Sequence, residues 1–385
     1  MHFDLTDEQK MLGQTAESFA KKDSPVERFR KMRETETGWD KAMWEKIGSE
    51  LGLTAIPFPE ELGGIGGGLV DLFTVVTPLG SSLVPEPFVT SIAVCGMAIS
   101  QSGTDQQKEQ ILAPVIEGKA SLALAYAEKD SRYNPALIAA EAKEASGEFT
   151  ISGTKVWVDN GHAADTLIVA ARTSGKAGDE SGVTLFLVPG DAAGLSRKAV
   201  STMDGFKRGL VTLENVKVPA SAMLGEKDKG FAILERALDR GAAMAVAEGL
   251  GMARTAMMTT IEYLKVRVQF NVPIGSFQAL QHRAADMFIE AQLLHSMAIL
   301  AAIEGDNEDR DVRRKAVSQA KVQLEKSGWL ITSQAIQLHG GIGCTDEQDV
   351  GLFFKRMHAL NHMYGDIDYH LDRLAGLSDF EETAA

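Results

Sequence analysis

Tyr263-Leu-Lys-Val-Arg-Val-Gln-Phe-Asn-Val-Pro-Ile-Gly-Ser-Phe-Gln-Ala-Leu-Gln-His-Arg-Ala-Ala-Asp286 is the stretch on which the reading of this chain turns. It joins two long segments of helical apolar spacing, at about 230–267 and 277–304. Two more follow, at about 309–339 and 346–376, and four long helices in succession predict a bundle. The third ends in a second distinctive string, Gln337-Leu-His-Gly-Gly-Ile-Gly343. Upstream of Gly230 the pattern changes. Leu122-Ala-Leu-Ala-Tyr126, Phe149-Thr-Ile-Ser152, Val156-Trp-Val158, Thr166-Leu-Ile-Val-Ala-Ala171, Val183-Thr-Leu-Phe-Leu-Val188 and Leu210-Val-Thr-Leu213 are short β-type runs. Gly, Asp and Asn punctuate them, which predicts an antiparallel β domain. Before Ser121 the spacing is helical again. Thr6 and Gln9 form a capping box, Trp39 to Leu51 reads as amphipathic, and Gly63 to Gly68 is a loop. Helical pattern resumes toward Ala98 and again from Asp105 to Ile116. The expected fold class is α+β, with an N-terminal α-helical domain over 1–120, a middle β domain over 121–228 and a C-terminal four-helix bundle over 229–385.

Composition narrows the function. The chain has 385 residues, enough for two or three cores, with 44% apolar and 24% charged residues. Its formal net charge of −14 argues against binding nucleic acid, which needs clustered Lys and Arg, and against anionic membranes. No apolar run approaches the ~18 residues of a membrane span. The first ten residues carry neither a basic region nor an apolar one, so neither a signal peptide nor a transit peptide is expected. Cys95 and Cys344 have no metal-like spacing and provide no disulfide framework, which suits a reducing, cytoplasmic location. His282 and His339 also lack a ligand spacing, and no metal is expected.

The quoted stretch resembles a signature segment of the flavin-dependent acyl-CoA dehydrogenases, and Gln337-Leu-His-Gly-Gly-Ile-Gly343 resembles another, in the family's order. The resemblance spans nearly the whole chain. Phe3-Asp-Leu-Thr-Asp-Glu-Gln9 and Pro59-Glu-Glu-Leu-Gly-Gly-Ile-Gly66 look like its N-terminal domain, and Gly153-Thr-Lys-Val-Trp-Val-Asp-Asn-Gly161 like its β domain. Val272 to Met287, with Phe354-Lys-Arg-Met357, is similar to small subunits of pimeloyl-CoA and steroid side-chain dehydrogenases. The resemblance implies the α, β, α architecture, FAD as cofactor and an acyl-CoA substrate. It further implies trans-2-enoyl-CoA as product and an electron-transferring flavoprotein as acceptor. It implies a homotetramer, or an α2β2 heterotetramer with a second acyl-CoA dehydrogenase subunit. For the site it implies Arg267 at the FAD pyrophosphate, a bidentate task suited to guanidinium. Phe270 and Gln278 fall at adenine-side and ribityl-side positions, and Gln337, Gly340 and Gly341 at the diphosphate loop. Trp157 matches the residue packed on the isoalloxazine, Asp159 sits where a hydroxyl often meets the flavin, and Ser131 lies in an altered phosphate-side loop.

The chemistry needs a base for the α-proton, a hydride acceptor at Cβ and a polarised thioester carbonyl. The family's usual base, a Glu, falls at Tyr364, where a phenol of ordinary pKa ~10 is a poor base. An alternative family position on the first bundle helix falls near Gly241, again not acidic. Glu248 lies two helical turns further on, on nearly the same face, among Ala, Val, Gly and Leu. A carboxylate there is costly unless paired or functional, so Glu248 is the first candidate base, with an inter-helix salt bridge or a surface position as its structural alternative. Asp239 is the second. These departures leave two other readings open: a half-site subunit of a heteromeric enzyme, or a related flavin oxidase or monooxygenase.

Overall fold

The computed structural model describes residues 5–377, so Phe3, Asp4 and the segment after Leu377 lie outside the described residues. The N-terminal helices are α1 (Asp7–Lys22), α2 (Val26–Met32), α3 (Lys41–Glu45), α4 (Leu69–Ser81), α5 (Met97–Ser102), α6 (Asp105–Gln107) and α7 (Ala113–Ile116). The Thr6–Gln9 capping box starts α1 as the sequence predicts. The stretch from Trp39 to Leu51 is not one amphipathic helix. α3 covers only five residues and passes into a π-helical turn, Lys46–Glu50, in which Ile47 and Gly48 are buried. Gly48 has no room for a side chain, since a Cβ there would meet Gly118 N at 2.4 Å.

The strands are β1 (Leu122–Ala125), β2 (Glu141–Ala145), β3 (Glu148–Asp159), β4 (Thr166–Arg172), β5 (Val183–Pro189), β6 (Leu195–Ser201), β7 (Lys207–Pro219), β8 (Met223–Leu224), β9 (Val268–Gln269) and β10 (Val272–Pro273). The main sheet runs β6-β7-β3-β2-β4-β5-β8, with β1 beside β4. The purely antiparallel expectation is corrected: β1 pairs β4 in parallel, Leu122 opposite Thr166, and β2 meets β4 in parallel at Glu141 and Arg172. β2 and β6 left no apolar signal. Only Ala142 of β2 is buried and no residue of β6 is, so the ladders to β3 and β7 hold them rather than side-chain burial. The sheet's core is Phe149, Ile151, Leu167, Val169, Phe186, Val188, Val211 and Val216 with their neighbours.

The helices beyond the sheet are α8 (Gly230–Val266), α9 (Gln278–Glu304), α10 (Arg310–His339), α11 (Val350–His362) and α12 (Ile367–Ala375). The expected fourth helix over 346–376 is therefore two, broken at 363–366. Compact packing divides the described residues into two units. One comprises Arg30–Leu72 and Pro85–Gly241; the other comprises the chain up to Phe29, Phe73–Val84 and the chain from Ala242 onward.

In the bundle unit α10 packs against α9, α11 and α12. α9 is long and apolar enough by composition to cross a membrane, contrary to the expectation that no such run exists. Met287, Ala291, Leu294, Ala298 and Ala301 bury one face of it in the bundle. α4 and α8 approach at two glycines, where a Cβ on Gly251 would lie 1.9 Å from Thr77 O and one on Gly80 would lie 2.4 Å from Glu248 O. Both obstacles are backbone and cannot turn aside. Gly251→Ala is expected to destabilise the protein by ~1–3 kcal/mol, as overpacking does. Denaturant titration checks this, and an unchanged midpoint would refute the close crossing.

Candidate functional site

In the sheet unit the ladder between β3 and β7 skips from Lys155 to Val158. This bulge turns Trp157 outward, with φ 55 and 65% exposure. A bulge is a common way to re-aim one side chain of a strand. Asp159 pairs across the ladder with Arg208, Oδ1 to Nη1 2.8 Å, and the guanidinium is almost fully buried. A cation therefore faces the carboxylate that stands where a hydroxyl was expected. Ser131 is not a free phosphate ligand. It is 4% exposed, and its Oγ donates to Glu128 O and accepts from Glu128 N, both at 2.9 Å. Asp239, 2% exposed on α8, is a buried residue rather than a solvated one, and the neighbouring Arg240 donates to Gln101.

Two residues that sequence reasoning missed support this region. Lys155 is fully buried and donates to Glu128 Oε1 at 2.6 Å and to Tyr126 O at 3.2 Å. Burial lowers its pKa to about 8, against the opposing pull of Glu128. Glu128 also accepts from the amides of Ala139 and Ala140, at 2.9 and 3.0 Å, so one carboxylate ties the loop after β1 to β3. A lysine two residues before the bulged Trp157 was the available signal.

In the bundle unit Arg267 follows the end of α8. Its amide donates to Tyr263 O at 2.9 Å and its carbonyl accepts from Ile274 N at 2.8 Å. The side chain is exposed, and among the described residues its guanidinium has no partner. β9 and β10 form a hairpin whose two loop residues, Phe270 and Asn271, have φ 55 and 65. Such turns favour Asn and Gly, so a phenylalanine there is strained. Phe270 is 86% exposed and meets Phe277 edge-on at 6.0 Å. Gln278, the first residue of α9, is exposed, as is Gln337 in the last turn of α10. Gly340 ends α10 with φ 65, and a Cβ on Gly340 or Gly341 would meet nothing within 4 Å, so this turn is open. His339 lies beneath it, buried, stacked on Tyr263 at 4.4 Å, with Nδ1 2.7 Å from Ala335 O.

Glu248 does not sit in purely apolar surroundings. Arg356 of α11 donates from Nε to Glu248 Oε1 at 2.7 Å, and the two side chains are only 6% and 13% exposed, arginine first. An inter-helix salt bridge is what the structure contains, with Glu248 Oε1 engaged by the guanidinium. Breaking a buried pair strands a charge and costs ~3–5 kcal/mol, whereas replacing both partners with apolar groups is often neutral. Glu248→Leu is thus expected to lose about that much stability. Glu248→Leu with Arg356→Met is expected to recover most of it. Equal loss in the single and double variants, by denaturant titration, would contradict the pairing.

The break between α11 and α12 is the second strained turn of the bundle unit. Tyr364 has φ 61 and Gly365 φ 113, and a Cβ on Gly365 would meet the Tyr369 ring at 2.2 Å and His370 Nε2 at 2.9 Å. His370 is fully buried, with Nδ1 3.1 Å from Ser318 Oγ. Burial, then the charges of Lys321 and Arg373, push its pKa down to about 2. The folded protein therefore keeps His370 neutral, while the unfolded chain protonates it below ~6.5. Stability is lost as pH falls below that value, by up to ~1.4 kcal/mol per unit from this group. His370→Gln is expected to flatten the acid limb of a stability–pH curve below pH ~6.5, and an unaltered slope would refute the assignment.

The sheet unit thus exposes Trp157, and the bundle unit exposes Phe270, an arginine without a side-chain partner among the described residues and an open glycine turn. Profiles of the acyl-CoA dehydrogenase N-terminal, middle and C-terminal domains match residues 6–119, 123–216 and 228–376. A probable acyl-CoA dehydrogenase of Bacillus subtilis is 31% identical over 370 residues, 91% of this chain and 92% of that protein. The butyryl-CoA dehydrogenase of Megasphaera elsdenii superposes with a TM-score of 0.90 at 28% identity, covering 98% of this chain and 99% of that one. A variant of the Tcur3481-Tcur3483 steroid ACAD superposes at 0.87 with 29% identity, covering 98% and 99%. The chain belongs to the acyl-CoA dehydrogenase family and is an oxidoreductase with that family's fold.

Proposed function

We propose that the protein holds FAD and oxidises a CoA thioester to the trans-2-enoyl thioester, its electrons leaving to an electron-transferring flavoprotein. The observation that carries this reading is the exposed Arg267, partner-free among the described residues, with Phe270 set out at 86% exposure on the adjoining hairpin. A guanidinium and an aromatic face offered together suit a diphosphate joined to an adenine. The open turn at Gly340 and Gly341 leaves room for backbone to approach the same diphosphate, with Gln337 and Gln278 as amide partners. Trp157 offers an indole to the flavin ring. The residues present fit the cofactor.

Bound FAD supplies the hydride acceptor. The chain's own task is to hold the thioester so that its α-proton leaves to a base and its β-hydrogen departs with the electron pair. Arg208 offsets the charge of Asp159, so a carboxylate near the flavin does not oppose the negative charge gained on reduction. Exposed Phe288, Ile289 and Leu293 on α9, 53%, 55% and 46% exposed, support self-association or pairing with a related subunit.

One observation favours a second reading, a half-site subunit of a heteromeric enzyme. Glu248 is engaged by Arg356, and the position of the family's usual base is Tyr364, so neither offers a free carboxylate. A chain of this kind lends Arg267 and the Gln337 turn to an unlike partner. A visible spectrum of the protein purified alone, before and after anaerobic addition of butyryl-CoA or a steroid side-chain CoA thioester, separates the two. A flavin band that bleaches is the expected result. No flavin band, even after added FAD, would overturn self-sufficiency and favour the half-site reading.

A further inference from the structure

Tyr364 and Gly365 hold two successive left-handed backbone conformations at the break between α11 and α12, and Tyr364 is a bulky residue for which that conformation is unfavourable. Such strain persists only where the surroundings over-determine it. The surroundings include Tyr369 and His370 of α12, against Gly365, and one face of α10. Lys321 is 2% exposed, and its Nζ donates to Leu360 O at 2.6 Å, Met363 O at 2.8 Å and Asn361 O at 3.3 Å. These carbonyls lie in the last turn of α11 and just beyond it, and Leu360 O also accepts from Met363 N at 3.2 Å. One helical turn along, Glu325 Oε2 accepts from Ile367 N at 3.1 Å, an amide in the first turn of α12. Asp366 caps α12 by accepting from Tyr369 N at 2.9 Å. A cation thus closes the last turn of one helix and an anion opens the first turn of the next, each matching the local end of the helix dipole.

The placement is costly. Lys321 has no ion-pair partner among the described residues, and burial lowers its pKa to about 7 although Glu325 and Asp366 pull the other way. An apolar residue would fill the same space without that penalty. The partners of the buried amine are three backbone carbonyls rather than a carboxylate.

We infer that Lys321 and Glu325 are positioning residues that clamp the Met363–Asp366 turn and so fix the orientation in which Tyr364 is presented. The inference rests on the dehydrogenase reading only for its effect on turnover; the clamp itself stands on geometry. Tyr364 and Asp366 are the residues the clamp places, and neither Lys321 nor Glu325 touches substrate in this account.

The test is hydrogen exchange over 360–368, read by mass spectrometry on the FAD-reconstituted protein, with flavin bleaching by a CoA thioester measured alongside. Lys321→Met is expected to speed exchange in this segment at least tenfold while the β3–β7 ladder is unchanged. It is expected to lower the bleaching rate at saturating thioester, with flavin content and half-saturating concentration retained. Glu325→Leu leaves the lysine in place and removes only the anchor of Ile367. It is expected to reproduce the effect more weakly, and it serves if Lys321→Met does not fold. Unchanged exchange in Glu325→Leu and in any folded Lys321→Met overturns the clamp, whatever the activity. Faster exchange with an unaltered bleaching rate overturns the positioning role. Faster exchange in variants of a protein that no thioester bleaches supports the clamp and overturns the self-sufficient dehydrogenase reading instead.

Discussion

Three large aromatic residues, Trp157 in the sheet unit and Phe270 and Tyr364 in the bundle unit, hold left-handed backbone conformations, and the presentation of each depends on what keeps it there. Each such residue costs ~1–3 kcal/mol, so each needs a local structure that outweighs the strain. For Trp157 it is the bulge in β3, with Lys155 buried against Glu128 just before it. For Phe270 it is the β9–β10 hairpin, closed by Arg267 O and Ile274 N. For Tyr364 it is the amine and carboxylate of α10. All three stand at positions that resemblance alone had marked for flavin or substrate.

Buried charge is the recurring device. Lys155 with Glu128, Arg208 with Asp159, and Arg356 with Glu248 are pairs with little solvent access. Their net contribution to stability is small, because desolvation offsets attraction. Their effect is orientation, since a buried charge accepts few geometries. The same pairing holds Glu248 Oε1 against Arg356, so a role as base would have to compete with that ion pair.

Much of the fold was legible in the sequence because it rests on periodicity. α8, α9 and α10 begin and end within a residue or two of their apolar patterns. The β3, β4, β5 and β7 runs stand out because each buries Val, Ile, Leu or Phe. β2 and β6 did not, because hydrogen-bonded ladders hold them and apolar spacing does not record ladders. The break at Met363–Asp366 was hidden by helical residues on both sides, and only Gly365 hinted at it. The candidate site was legible only in its local strings. Arg267, Phe270 and the Gln337 turn belong to local strings, whereas Arg356 meets Glu248, and Lys321 meets Leu360, across long sequence separations. Single-sequence patterns carry no record of such contacts. The local engagement of Ser131 was hidden for a related reason: a serine three residues after a Glu can satisfy itself on that residue's backbone.

The central claim is that hydrogen leaves both the α and the β carbon of a CoA thioester. Its most direct test is the rate of anaerobic flavin bleaching with the best thioester, unlabelled or carrying deuterium at the α or at the β carbon. The account predicts slower bleaching with either label. A rate indifferent to both labels, or sensitive to neither carbon but only to solvent deuterium, would contradict it.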